Sequence, residues 1–134
     1  MQKLPCVLLV DDDPTTNFLN RKLLERLAVS DQIAVALNGR EALDKLRAQC
    51  GQQPAGHPVL LFLDLNMPIM NGIQFLEAYR QLPPAQQCAV VVVMLTTSVH
   101  PQDVQRVGQL PVNDFLHKPL TQQQVERVLQ QHFA

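Results

Sequence analysis

The sequence predicts an α/β protein: a doubly wound, parallel sheet of five strands with helices on both faces. Three observations lead there. CVLLV (6–10), VLLFL (59–63) and VVVVML (90–95) are continuous apolar runs with no polar alternation. Runs of this kind suit strands buried on both faces, as in parallel sheets. Stretches with helical spacing separate them, giving a repeated β-α order that calls for right-handed crossovers. Polar residues then gather immediately after the runs, where an open α/β sheet keeps its functional crevice.

The first strand, 6–10, leads into Asp13-Pro14, an N-cap and first-turn proline pair. Leu19, Leu23 and Leu27 recur at i, i+4 and i+8, which predicts a helix to about residue 27 with these leucines inward. QIAVA (32–36) is a weaker second strand, and a helix from near Gly39 places Ala42, Leu43 and Leu46 on one face. The third strand, 59–63, follows the surface connection GQQPAGHP (51–58). A third helix starts near Asn71-Gly72 with Ile73, Leu76 and Tyr79 inward, and PPAQQ (83–87) is again a surface loop. The fourth strand, 90–95, precedes a short fourth helix after His100-Pro101 carrying Val104 and Val107. VNDFL (112–116) is the fifth strand. The last helix begins at Thr121, where T-Q-Q-Q can form a capping box, and Val125, Val128, Leu129 and Phe133 make its apolar stripe. No repeat, linker or second domain interrupts this order, so residues 1–134 read as one domain with no output domain attached.

Composition narrows the function classes. A chain of 134 residues with 46% hydrophobic content is long enough for one cored domain and too apolar to be disordered. The net charge of −1 gives no general attraction to nucleic acid or to membranes. The longest apolar run, 88–95, is far short of the roughly 20 residues that cross a bilayer. The N-terminus ends its apolar run in aspartates rather than at a cleavage site, so it is no signal peptide. Cys6, Cys50 and Cys88 have unrelated spacings and no zinc pattern; free, buried thiols at 6 and 88 and a reducing cytoplasm are expected. The four histidines show no paired ligand spacing and default to the surface.

The residue past each strand carries the chemistry. Asp11, Asp12 and Asp13 follow the first strand, Asp64 and Asn66 the third, Thr96, Thr97 and Ser98 the fourth, and His117, Lys118 and Pro119 the fifth. Asp13 is accounted for as a helix cap. If Asp11, Asp12 and Asp64 share one crevice, two such charges about 4 Å apart repel by roughly 4 kcal/mol at an effective dielectric near 20. A hard divalent cation with oxygen ligands offsets this, and Mg²⁺ suits carboxylates that also serve a phosphate. Three carboxylates, Mg²⁺ and Lys118 sum to zero, a site poised for one further anion. Thr96 adds a hydroxyl donor. A carboxylate can attack phosphorus to give an acyl phosphate, and Asp64, alone on the middle strand, is the candidate nucleophile.

These residues also match a known pattern. VLLVDDDP (7–14), LDLNMPIMNG (63–72), MLTTS (94–98) and FLHKP (115–119), in this order and spacing, resemble a response-regulator receiver domain of two-component signalling, of the single-domain type similar to the chemotaxis response regulator. The resemblance covers essentially the whole chain. It implies a flavodoxin-like (βα)5 fold with strand order 2-1-3-4-5. It implies Asp64 as phosphoacceptor, Asp11 and Asp12 as the acidic pair with Asp12 the more direct Mg²⁺ ligand, and Asn66 as a backbone carbonyl ligand. Thr96 would be the switch hydroxyl, Phe115 the aromatic that rotates with it, and Lys118 the phosphoryl-contacting lysine. The Lys118–Pro119 bond would be cis. Asn71 stands where Asp is frequent, Phe115 replaces the tyrosine of some members, and Asn66 and Ser98 flank the phosphoryl site at variable positions.

The function expected from the resemblance is that of a signalling phosphoacceptor rather than a turnover enzyme. A sensor histidine kinase or histidine phosphotransfer protein would donate the phosphoryl group, in a Mg²⁺-dependent reaction that the receiver itself promotes and slowly reverses by hydrolysis. A surface made by the fourth predicted helix, fifth strand and last helix would then signal to a downstream protein partner, from a monomer or weak dimer. A rival reading, an aspartate-nucleophile phosphatase, needs a second aspartate two residues after the nucleophile, where this chain has Asn66. A degenerate receiver used only for binding, or a carrier of a flavin phosphate, fits less well with an intact acidic crevice.

Overall fold

A computed structural model describes residues 4–50, 59–65, 67, 69–82, 90–96 and 112–133, the side chains of 49, 50 and 96 excepted. The fourth predicted helix, both predicted surface loops, Asn66, Thr97, Ser98 and Cys88 lie outside these residues.

Within them the order is β1 (Val7–Val10), α1 (Pro14–Arg26), β2 (Ile33–Ala36), α2 (Gly39–Cys50), β3 (Val59–Leu63), α3 (Gly72–Arg80), β4 (Val90–Thr96), β5 (Asp114–His117) and α4 (Gln122–Phe133). The strands form one five-stranded parallel sheet in the order β2-β1-β3-β4-β5. This is the predicted doubly wound, flavodoxin-like arrangement, and it centres β3 between β1 and β4.

The period-two alternation of a strand divides the core into two layers. Leu8, Val10, Leu61, Leu63, Val92 and Met94 face Ala42 and Leu46 of α2 and Ile73, Phe75 and Leu76 of α3. Val7, Leu9, Leu60, Phe62, Val91, Val93 and Leu95 face Leu24 of α1 and Val125, Val128 and Leu129 of α4. Each apolar run therefore feeds two cores at once, which is why the runs do not alternate.

Local sequence sets the helix ends. Asp13 N-caps α1 by accepting from the Thr15 amide at 3.0 Å, with Pro14 in the first turn. Ala28, at φ 54°, stops α1: its amide reaches the Glu25 carbonyl at 3.1 Å while the Val29 amide reaches that of Leu24 at 3.2 Å. Asn71 and Gln74 form a reciprocal capping box on α3. The predicted box on the last helix is present between Thr121 and Gln124.

Two expectations shift. The inward face of α1 takes in only part of the Leu19 stripe: Leu23 and Leu27 are half-buried and pack on the core, but Leu19 is 60% exposed, and Asn17, Asn20 and Leu24 are buried. β5 lies two residues later than expected. Asn113 is held to β4 partly by its side chain, whose Oδ1 accepts from the Val92 amide at 2.9 Å, and pairing in β5 begins at Asp114.

Candidate functional site: an acidic crevice at the strand ends

The parallel register brings the ends of β1 and β3 level, with Val10 opposite Leu63. The next residues are Asp11 and Asp64, both buried, at 4% and 7% exposure, and Asp12, which is exposed. The Asp64 amide donates to the Val10 carbonyl at 2.9 Å, and the Asp11 amide to the Ala36 carbonyl at 3.1 Å. Ladder bonding thus continues one residue past the strands, and it fixes where the two carboxylates emerge. One oxygen from each of Asp11, Asp12 and Asp64 lies within 4.8 Å of the others.

Lys118, just past β5, reaches across to this cluster. Its Nζ bonds Asp11 Oδ2 and stands 3.4 Å from Asp64 Oδ2. Burial pulls the Lys118 ammonium down, but the bond to Asp11 and the charges of Asp64 and Asp11 outweigh it and hold its pKa above the ordinary value. Asp11 is held from the other side too, its Oδ1 accepting from the Asp13 amide at 2.9 Å. Asp13, fully exposed, has its carboxyl held below the usual range by bonds from the Thr16 hydroxyl and the Thr15 amide. The Lys118–Pro119 peptide is cis, as the resemblance implied.

The remaining predicted residues are placed as follows. Thr96 is the last residue of β4, opposite His117 in the register; its side chain is outside the described set. Phe115 is half-buried against the α2–α3 core and meets His117 edge-on at 6.2 Å. Asn66 is also outside the described residues.

Several supporting residues were not tied to this site by sequence, where Gly39 and Gly72 marked only helix starts. A Cβ on Gly72 would lie 2.6 Å from the Asp64 carbonyl oxygen, and the Gly72 amide donates to the Leu65 carbonyl at 3.0 Å. Only glycine lets α3 start this close to the end of β3. The Gly39 amide likewise donates to the Met70 carbonyl at 2.9 Å, tying the β2–α2 turn to the β3–α3 loop. Asn38 caps α2 through the Glu41 amide at 2.9 Å. Ile69 holds φ 69° with its side chain 79% exposed. The two Asn-Gly pairs, 38–39 and 71–72, were the available signals; the Ile69 conformation left none.

The donor set is of the kind a hard cation takes: carboxylate oxygens, converging, with no sulfur or imidazole among the described residues of the cluster. The chain therefore offers a carboxylate-lined site beside a fixed ammonium, suited to a divalent cation and a phosphoryl anion together.

Comparison with known proteins agrees with this geometry. The response regulator receiver domain model matches residues 7–130. A probable chemotaxis protein CheY of Rhizobium etli is 33% identical over 128 residues, covering 96% of this chain and 92% of that one. The transcription factor SKN7 of Chaetomium thermophilum is 30% identical over 98% of this chain, which spans only 16% of its length. A two-component response regulator from Cytophaga hutchinsonii superposes with a TM-score of 0.81 at 25% identity, covering 97% of both chains. Among the described residues no helix is long and apolar enough to cross a membrane. The chain belongs to the response regulator receiver domain family of two-component signalling.

Proposed function

We propose that this chain accepts a phosphoryl group from a phosphohistidine onto Asp64, in a Mg²⁺-dependent reaction, and signals through the resulting change of surface. The observation that carries the proposal is the position of Asp64: buried at the end of the central strand, within 4.8 Å of Asp11 and Asp12, and 3.4 Å from Lys118 Nζ. In the transfer an Asp64 carboxylate oxygen forms the new O–P bond, the N–P bond of the donor breaks, and the donor imidazole leaves with the electron pair and takes a proton. The rest of the crevice positions and neutralises, which is most of what phosphoryl transfer requires.

Asp11, Asp12 and Asp64, with the Asn66 carbonyl, would hold Mg²⁺. Bound there, the ion supplies charge neutralisation for the phosphoryl oxygens. Lys118 contacts the arriving oxygens in exchange for its present contact with Asp64. Thr96, at the end of the neighbouring strand, donates its hydroxyl to the phosphoryl group, and Phe115 follows it inward. That movement biases a two-state surface around β5 and α4, which a downstream protein reads. The donor is a sensor histidine kinase or histidine phosphotransfer protein, the compartment the cytoplasm, and the chain a phosphoacceptor that hydrolyses its own acyl phosphate slowly rather than an enzyme with an external substrate.

Incubation of the purified chain with phosphoramidate or acetyl phosphate tests the reading. Mg²⁺-dependent, base-labile labelling that disappears in Asp64→Asn supports it; full labelling of Asp64→Asn refutes it.

A further inference from the structure

Asn17 lies on the inward face of α1, 2% exposed, at a position where an apolar side chain is the rule. Its Nδ2 donates to the backbone carbonyl of Asp11 at 2.8 Å and reaches that of Ala36 at 3.4 Å. Two carbonyl acceptors can be met only by the NH₂ end of the amide, so the orientation of the side chain is settled by its partners. The other end, Oδ1, is buried without a partner. Such an orphaned acceptor costs stability, whereas an apolar side chain of similar size would have no group to satisfy. The amide is thus retained for its donor end alone.

That donor end grips the peptide between the two acidic residues. The Asp11 carbonyl belongs to the 11–12 peptide plane, so fixing it fixes the directions in which the Asp11 and Asp12 side chains leave the end of β1. The Asp11 amide is already tied to Ala36 at 3.1 Å, and its carboxylate to the Asp13 amide at 2.9 Å. Asn17 supplies the remaining restraint, and with Asp11, Asp64, Phe62 and Leu95 it lines the small space beneath the carboxylates.

We propose that Asn17 is a positioning residue for the acidic pair: it holds the Asp11–Asp12 peptide so that both carboxylates are presented to the divalent cation. The proposal rests on the phosphoacceptor reading above for its purpose, but its first readout does not. Mg²⁺ affinity is measured by calorimetry on the unphosphorylated full chain, for wild type, Asn17→Leu, Asn17→Ala and Asn17→Asp, beside the melting temperature of each. Second-layer partners of metal ligands typically contribute 10–100-fold in affinity, so a loss of about tenfold or more is expected in all three variants. Asn17→Leu removes the orphaned acceptor but also the donor to the buried Asp11 carbonyl, so its melting temperature should stay near that of wild type while the affinity falls. Ser30→Ala, a buried polar residue bonded to the Leu4 carbonyl ahead of the strands and away from the carboxylates, should bind Mg²⁺ as wild type does.

Wild-type affinity in Asn17→Leu and Asn17→Ala overturns the proposal, as does an affinity loss that Ser30→Ala shares in full. If Asn17→Leu does not fold, the smaller Asn17→Ala decides the matter by the same comparison. Phosphoramidate labelling separates the two levels. Failure of wild type to accept a phosphoryl group refutes the phosphoacceptor reading and leaves the Mg²⁺ comparison standing. Labelling of wild type together with undiminished Mg²⁺ affinity in the Asn17 variants refutes Asn17 alone.

Discussion

Lys118 Nζ stands 3.4 Å from Asp64 Oδ2 while also bonding Asp11, so one ammonium spans the two buried carboxylates of the crevice. It is the fixed positive charge in a site that otherwise carries converging negative ones. Lys118→Met removes it and leaves the converging carboxylates without their ammonium. Exposed ion pairs contribute about 0–1 kcal/mol and breaking a fully buried one costs about 3–5. The Lys118 side chain is 15% exposed, nearer the buried case, so a loss of roughly 2 kcal/mol is expected by urea unfolding. Added Mg²⁺ should restore part of it, more in Lys118→Met than in wild type. Equal stability of the two proteins without Mg²⁺ would contradict the bridging role.

The same contact gives a pH dependence with a defined sign. Burial lowers the Lys118 pKa, but the Asp11 bond and the nearby carboxylate charges raise it further, so the folded value exceeds 10.5. A raised pKa means that the stabilisation is complete below the unfolded value and is lost as pH climbs through the folded one. The loss therefore falls above pH 10.5 and not near neutrality. Lys118→Arg, which stays protonated there, should show a shallower fall of melting temperature with pH than wild type over that alkaline range.

Gly72 is required by proximity. A methyl group there would sit 2.6 Å from the Asp64 carbonyl oxygen, which is backbone and cannot swing away. Gly72→Ala should cost about 1–3 kcal/mol by displacing the β3–α3 loop. Because Asp64 moves with that loop, the rate of labelling by phosphoramidate should fall as well. Unchanged stability and rate would show that the loop gives way without consequence.

Ile69 is a β-branched residue at φ 69°, exposed in the loop that follows Asp64. The left-handed region costs an L-residue about 1–2 kcal/mol, and glycine loses about 0.4–1 of that advantage through the entropy of its unfolded chain. Ile69→Gly should therefore stabilise the chain by roughly 0.5–1 kcal/mol in urea unfolding. A loss of stability would mean that the exposed isoleucine makes a contact that outweighs its backbone strain.

How much of this was legible in sequence depended on whether the signal was local. Three of the five strands were readable as continuous apolar runs and the other two from the repeated β-α order, and the positions of Asp11, Asp64 and Lys118 followed from their lying just past a strand. The face of α1 was read only in part: Leu23 and Leu27 pack on the core as their spacing suggests, but Leu19 does not, and the buried positions 17 and 20 are polar. The burial of Asn17 answers to the backbone carbonyls of Asp11 and Ala36, the latter on another strand. The start of β5 was displaced for a similar reason: Asn113 uses its side chain to meet β4, a substitution that apolar patterning does not reveal. Gly72 was visible as a glycine, but only the approach of the Asp64 carbonyl says why it must be one.

The central claim is that Asp64 is the residue that takes the phosphoryl group. The most direct test is to phosphorylate the wild-type chain with acetyl phosphate and Mg²⁺, reduce the acyl phosphate with borohydride, and locate the reduced residue by peptide mass mapping. The account predicts homoserine in place of Asp64 alone, dependent on Mg²⁺ and on Lys118. Reduction at Asp11 or Asp12 instead, or at no residue of the crevice, would contradict it.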